Sequence, residues 1–260
     1  MIPSPSLGPE AYPAARAEAV RALERDPSLA SAHLALADVA LYYDRDLRAA
    51  LASYDRARHF APGSADVRVA RMWYHAIAGD LHAAYDEIAA ALALEPSTPS
   101  LLVDAAVLEI FSRAFESAAR TLARIHAAKP EDASARYYLA TARALAGNTP
   151  AALALYRGTT GEDPRALALL GYASGRAGDR PGALRYFNTL KDGAFAYVSS
   201  FDLATVCAGI GDLGATSHHL ERGLAGHDPW LVVARVHPFF DIFRDDARFT
   251  SLLARVFPDR

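Results

Sequence analysis

Alanine and leucine recur at helical spacing in stretches that each run into a proline: AVRALERDP, SYDRARHFAP, EIAAALALEP, TLARIHAAKP and LYRGTTGEDP. The prolines Pro27, Pro62, Pro96, Pro130 and Pro164 lie 35, 34, 34 and 34 residues apart. Proline lacks the amide hydrogen and its ring clashes with the preceding turn, so each one closes a helix and sets the direction of the next. At 17 residues before three of these prolines stand Gly79, Arg113 and Gly147. The surrounding AGDLHAA and AGNTPAA pair a glycine able to take positive φ with an Asp or Asn able to cap the following helix, and Arg113 marks a degenerate copy. Each unit is thus predicted to be a helical hairpin.

Five residues after the turn comes a small side chain, Ala84, Ala118 or Ala152, and seven further on Ala91, Ile125 or Thr159. Small residues there let two antiparallel helices approach closely. Only 19 of the 260 residues are Val or Ile, too few for a buried parallel sheet. Period, hairpins, small residues and terminal prolines together resemble the tetratricopeptide repeat. The match covers about residues 10 to 228, and its departures are one extra residue near YYDRD, no early tryptophan and a short first helix before AGDRPGA. The expected architecture is an all-α, right-handed superhelical solenoid of antiparallel helix pairs with a C-terminal helical cap. Residues 1–9 form a flexible leader, 10–228 about six repeats with the first incomplete, and 229–260 the cap. Residues 10–26 provide a second helix without its first-helix partner, so either the proline-rich leader MIPSPSLGPEAYP folds over that edge or another surface covers it, self-association being the second option.

The C-terminal stretch leaves the repeat pattern. Through Trp230, Pro238, Phe240, Asp241, Arg244, Asp246, Arg248, Phe249, Leu252 and Leu253 it resembles the terminal segment of bacterial tetratricopeptide proteins. In longer regulators, those segments stand behind winged-helix DNA-binding domains, protein kinases or cyclases. The resemblance implies a sensory or docking module acting in signal transduction, with any effector domain outside this sequence.

Charge and chemistry narrow this further. A formal net charge of -3 and a pI near 6.3 lack the footprint of a phosphate-binding surface, so no nucleic-acid partner is expected. The arginines between Arg45 and Arg71 alternate with acids and read as a solvated face. Cys207 stands alone, which excludes an internal disulfide and a cysteine zinc cage. With no signal-like apolar region at the N-terminus and no membrane-length apolar run, the expectation is a soluble, cytoplasmic chain. Scarce lysine, at Lys129 and Lys191 alone, reads as the bias of a high-GC genome. GIGDLG, residues 209–214, matches a dinucleotide fingerprint but follows a helical pattern rather than a strand, so it reads as another hairpin turn. His218 and His219 are neighbours about 100° apart on a helix and cannot chelate one ion by themselves. No catalytic constellation, metal site or cofactor is expected.

Equivalent first-helix positions fall side by side along the concave wall of such a stack. Steps of 34 give Val69, Val103 and Tyr137, then Trp73, Val107 and Thr141, then Ile77, Phe111 and Leu145. This mostly apolar wall predicts a groove for an amphipathic helix or extended peptide, and its side chains are equally able to pack between helices. A polar column, His75, Glu109 and Arg143, is a possible specificity ladder. The function expected is a noncatalytic scaffold or docking module for a protein or peptide. The alternative is a regulatory sensor for a small molecule or short peptide.

Overall fold

The computed structural model describes residues 8–156 and 163–258. Among them the fold is all-helical. A lone helix α1 (Ala11–Arg25) precedes six hairpins. These pair α2 (Ala30–Asp38) with α3 (Leu47–Phe60), α4 (Ala65–Ala78) with α5 (Leu81–Leu94), and α6 (Pro99–Phe111) with α7 (Phe115–Ala128). The later three pair α8 (Ala133–Leu145) with α9 (Thr149–Ala154), α10 (Pro164–Arg176) with α11 (Arg180–Asp192), and α12 (Ser200–Ile210) with α13 (Leu213–Ala225). Two 3-10 segments, Pro229–Arg235 and Pro238–Phe243, and a last helix α14 (Ala247–Ala254) complete the chain.

Local chemistry sets the hairpins. Gly79 and Gly211 end α4 and α12 at φ 85° and 80°, and the next residue, Asp80 or Asp212, caps the partner helix by accepting the amide of Ala83 or Ala215. Ala84, Ala118 and Ala152 of the small-residue column are fully buried, and so is Ala50 one repeat earlier. Thr159, the last of the following column, lies outside the described residues. The extra residue near YYDRD is absorbed by a π-helical turn, Val39–Asp44, which prolongs α2 without shifting the next hairpin. In GIGDLG, Gly209 serves close packing, since a Cβ there would lie 2.5 Å from the backbone of Tyr172 in α10. Gly211 is the turn, so no nucleotide cradle forms.

The superhelix then closes on itself. Arg45, in the first hairpin turn, donates to the carbonyls of Leu224 at 3.0 Å and Gly223 at 3.1 Å in the last hairpin. His227 bonds to the Tyr43 carbonyl at 3.1 Å and stacks on its ring at 4.7 Å. The segment after α13 turns inward and runs through the hollow of the coil.

Candidate functional site: the filled inner wall

Because the C-terminal segment lies inside the coil, the first helices are covered on both faces. Trp73, Ile77, Val103, Val107, Phe111, Tyr137 and Thr141 are all buried, with at most 7% exposure, while Val69 and Leu145 are half-buried. These residues line the hollow with aromatic contacts continuous into the segment. The Trp73 ring meets Phe111 edge-on at 5.9 Å, and Phe111 meets His237 at 5.7 Å. His237 in turn touches Phe201 at 5.8 Å and Phe239 at 4.0 Å, and Phe239 lies 4.5 Å from Tyr172. Edge-to-face and tilted pairs of this kind add to the burial of the rings.

Most polar groups on the wall pair internally, while one carboxylate oxygen of Glu109 is buried without a hydrogen-bond partner among the described residues. The Trp73 indole nitrogen donates to Asp104 at 3.2 Å, and the Thr141 hydroxyl donates to the carbonyl of Tyr137, one turn earlier, at 2.9 Å. The three residues of the polar column are not joined by any ion pair among the described residues. Glu109 accepts from the Ser117 hydroxyl at 2.8 Å, Arg143 reaches the Ala151 carbonyl at 3.4 Å, and His75 lies half-buried at the mouth of a cavity.

Four groups that the sequence analysis did not single out for this role hold the segment in place. Asp228 is buried and accepts from the Ser199 hydroxyl at 2.6 Å and from the amides of Trp230 at 3.0 Å and Phe201 at 3.2 Å, tying the start of the segment to α12. The Arg165 guanidinium is sandwiched between the rings of Tyr137 and Trp230, 4.3 Å from each centroid. Arg113 grips Asp241 with two nitrogens, at 2.6 and 3.0 Å. Arg244 braces the same carboxylate at 2.6 Å and donates to the His237 carbonyl at 3.0 Å.

Backbone geometry marks the same contacts. The non-glycine residues at positive φ are Arg45 at 60°, Arg113 at 64° and His227 at 52° among the described residues. An L-residue there costs about 1–2 kcal/mol relative to its right-handed form. All three reach across the closure, two from hairpin turns where other repeats carry glycine. The degenerate turn at Arg113 thus replaces a glycine with a side chain that reaches Asp241.

Burial also governs ionisation. It pushes the carboxyl of Asp202 up to about 7, outweighing the Arg165 charge that favours ionisation, and that of Asp104 up to about 6. A buried His237, further disfavoured as a cation by Arg165, Arg113 and Arg244, titrates down near about 3. His237 therefore contributes stability that is present above the ordinary histidine range and is lost as pH falls. The two carboxyls act oppositely, stabilising most when protonated and least once pH has risen through about 6 and 7.

No group of three or more His, Cys, Asp or Glu able to hold a metal is found among the described residues, and no helix there is long and apolar enough to cross a membrane. Cys207 is buried. No protein-family profile matches the sequence, and no curated protein matches it. Solved structures do. A tetratricopeptide repeat protein from Parabacteroides merdae aligns over 93% of this chain and 90% of its own, with a TM-score of 0.60 at 13% identity. PilF of Pseudomonas aeruginosa aligns over 89% and 99%, with a TM-score of 0.52 at 13% identity. A chain of the APC/C hetero-tetramer Cut9-Hcn1 aligns over 94% of this chain and 46% of its own, with a TM-score of 0.56 at 16% identity. At these identities the likeness is one of fold: the chain is a tetratricopeptide-like all-α solenoid.

Proposed function

We propose that the protein is a noncatalytic docking module with a regulatory role, whose inner wall grips a tethered occupant, residues 229–243 of the same chain. Val69, Trp73, Ile77, Val103, Val107, Phe111, Tyr137 and Thr141 act in this reading as a peptide-holding wall. A free peptide competing for it would have to replace Trp230, Leu231, Phe239 and Phe240, all buried and all held at high effective concentration by their tether. Separate protein partners therefore meet the outer, second helices. The observation that carries this is the contrast in exposure: the inner-wall side chains are covered, while Phe60, Tyr85, Leu94 and Leu184 on the outer helices are 38–48% exposed. The regulatory role is supported by the resemblance of the segment around Trp230–Leu253 to the terminal segments of bacterial regulators.

The test is affinity capture from the native host followed by hydrogen exchange on the purified complex. Protection is expected on α3, α5 or α11, with the amides of 229–257 as protected as in the free protein. Deprotection of 229–257 on partner binding would show instead that the partner enters the hollow. Turnover that survives repurification would overturn the noncatalytic reading.

A further inference from the structure

On the third hairpin the outer surface carries an open groove. Pro99 and Leu102 of α6 face Thr121, Ile125 and Ala128 of α7 across a volume of about 350 Å³. The three α7 residues lie at i, i+4 and i+7, so a single helical stripe forms that wall. The same place is closed one repeat earlier. Steps of 34 put Glu87 where α7 carries Thr121, Arg68 where α6 carries Leu102, and Leu94 where α7 carries Ala128. There Glu87 accepts from Arg68 at 2.9 Å and from Arg71 at 2.6 Å, so an ion-paired bridge spans the position that stays open and apolar in the third hairpin.

The charge beside the groove has one sign. Arg124 and Lys129 are part of its lining, exposed and without an ion pair among the described residues, and Arg120 continues the row one turn earlier on α7. No acid lines it. An apolar trough flanked by unpaired cations is complementary to a partner that offers apolar side chains and carboxylates together: burial supplies the affinity, and the charges steer and orient the encounter. An amphipathic helix presents the two on adjoining faces.

We propose that this groove docks an acidic amphipathic helix of a partner protein. One apolar side chain enters between Leu102 and Ile125, and carboxylates beside it meet Arg124 and Lys129. This assignment rests on the reading that the outer helices carry the docking face, and Leu94, exposed at the corresponding place on α5, extends the contact.

The test uses the full chain and a fluorescent peptide of two Glu-Leu-Leu-Glu-Glu-Leu-Ala heptads, followed by fluorescence anisotropy. Matched controls carry Lys for every Glu or Ser for every Leu. The acidic peptide is expected to bind at least about tenfold more tightly than either control, and more weakly as salt rises. Arg124→Glu combined with Lys129→Glu is expected to weaken it at least about tenfold without moving the melting temperature, because both side chains are exposed. Ala128→Leu, which puts into the groove the residue the second hairpin carries and leaves the charges in place, is expected to weaken it as well. Absence of binding, equal binding of the Lys peptide, or undiminished affinity in either variant would overturn the acidic occupant. If a captured native partner still protects the outer helices in that case, the outer docking face stands without it. Deprotection of the 229–257 amides by the bound peptide would overturn both.

Discussion

The inner and outer helices of the same hairpins differ sharply. α4 buries nine residues, including Met72, Trp73 and Tyr74, whereas its partner α5 buries Ala84, Glu87, Ile88 and Ala91. α12 and α13 repeat the contrast, with nine buried residues against four. In a simple stack a first helix would show its concave face to solvent. Here that face is covered by the segment from Trp230 to Phe243, so the inner helices are enclosed like core helices of a globular domain while the outer ones remain amphipathic. The lesson is that an apolar wall on a repeat protein does not by itself indicate a vacant site. It is equally the signature of a chain that fills its own hollow.

The sharpest way to break this contrast is from the segment side. Phe240 is fully buried against Phe201 and Phe249. Phe240→Ala is expected to cost about 3–5 kcal/mol in urea unfolding. A loss below about 1 kcal/mol would mean that the segment is peripheral to stability.

Asp202→Asn probes the charge buried behind the wall. With the carboxyl at about 7, the wild type is largely protonated at pH 5 and ionised at pH 8. The melting temperature of the variant relative to wild type is therefore expected to rise between pH 5 and pH 8. A flat difference would show that Arg165 compensates the ionised form fully.

Smaller effects come from the clasp. Arg113→Gly and Arg113→Ala both lose the half-exposed pair with Asp241, but only alanine keeps the strain of positive φ. The glycine variant is expected to be the more stable of the two by about 1 kcal/mol in chemical denaturation. Equal stability would place the turn out of the left-handed region. Smallest of all, Leu94→Glu on the outer face is expected to change stability by at most about 0.5 kcal/mol while weakening partner capture. A large destabilisation there would erase the distinction between inner and outer helices.

The fold was legible because its causes are local. Gly79 and Gly147 mark turns, Asp80 and Asn148 cap the helices that follow, and Ala84, Ala118 and Ala152 permit the helix crossings, all at fixed spacing. The wall residues were also legible as a set, because a period of 34 aligns them in any such stack. What covers them was not. Arg45 and its carbonyl partners are 178 and 179 residues apart in sequence, and Arg113 and Asp241 are 128 apart. The one signal that could have pointed to them is the arginine standing where the other turns carry glycine.

By itself, then, the sequence determined the helical hairpins and the apolar character of the inner wall. Each depends on hydrogen bonds and side-chain sizes within a single repeat or between adjacent ones. Tertiary structure alone decided that the coil closes, that the segment from Trp230 to Phe243 covers its inner wall, and that a cavity beside Phe257 is left over. Those outcomes depend on the accumulated rotation of six stacked hairpins. A small change in packing angle at each interface sums to the difference between an open groove and a closed ring.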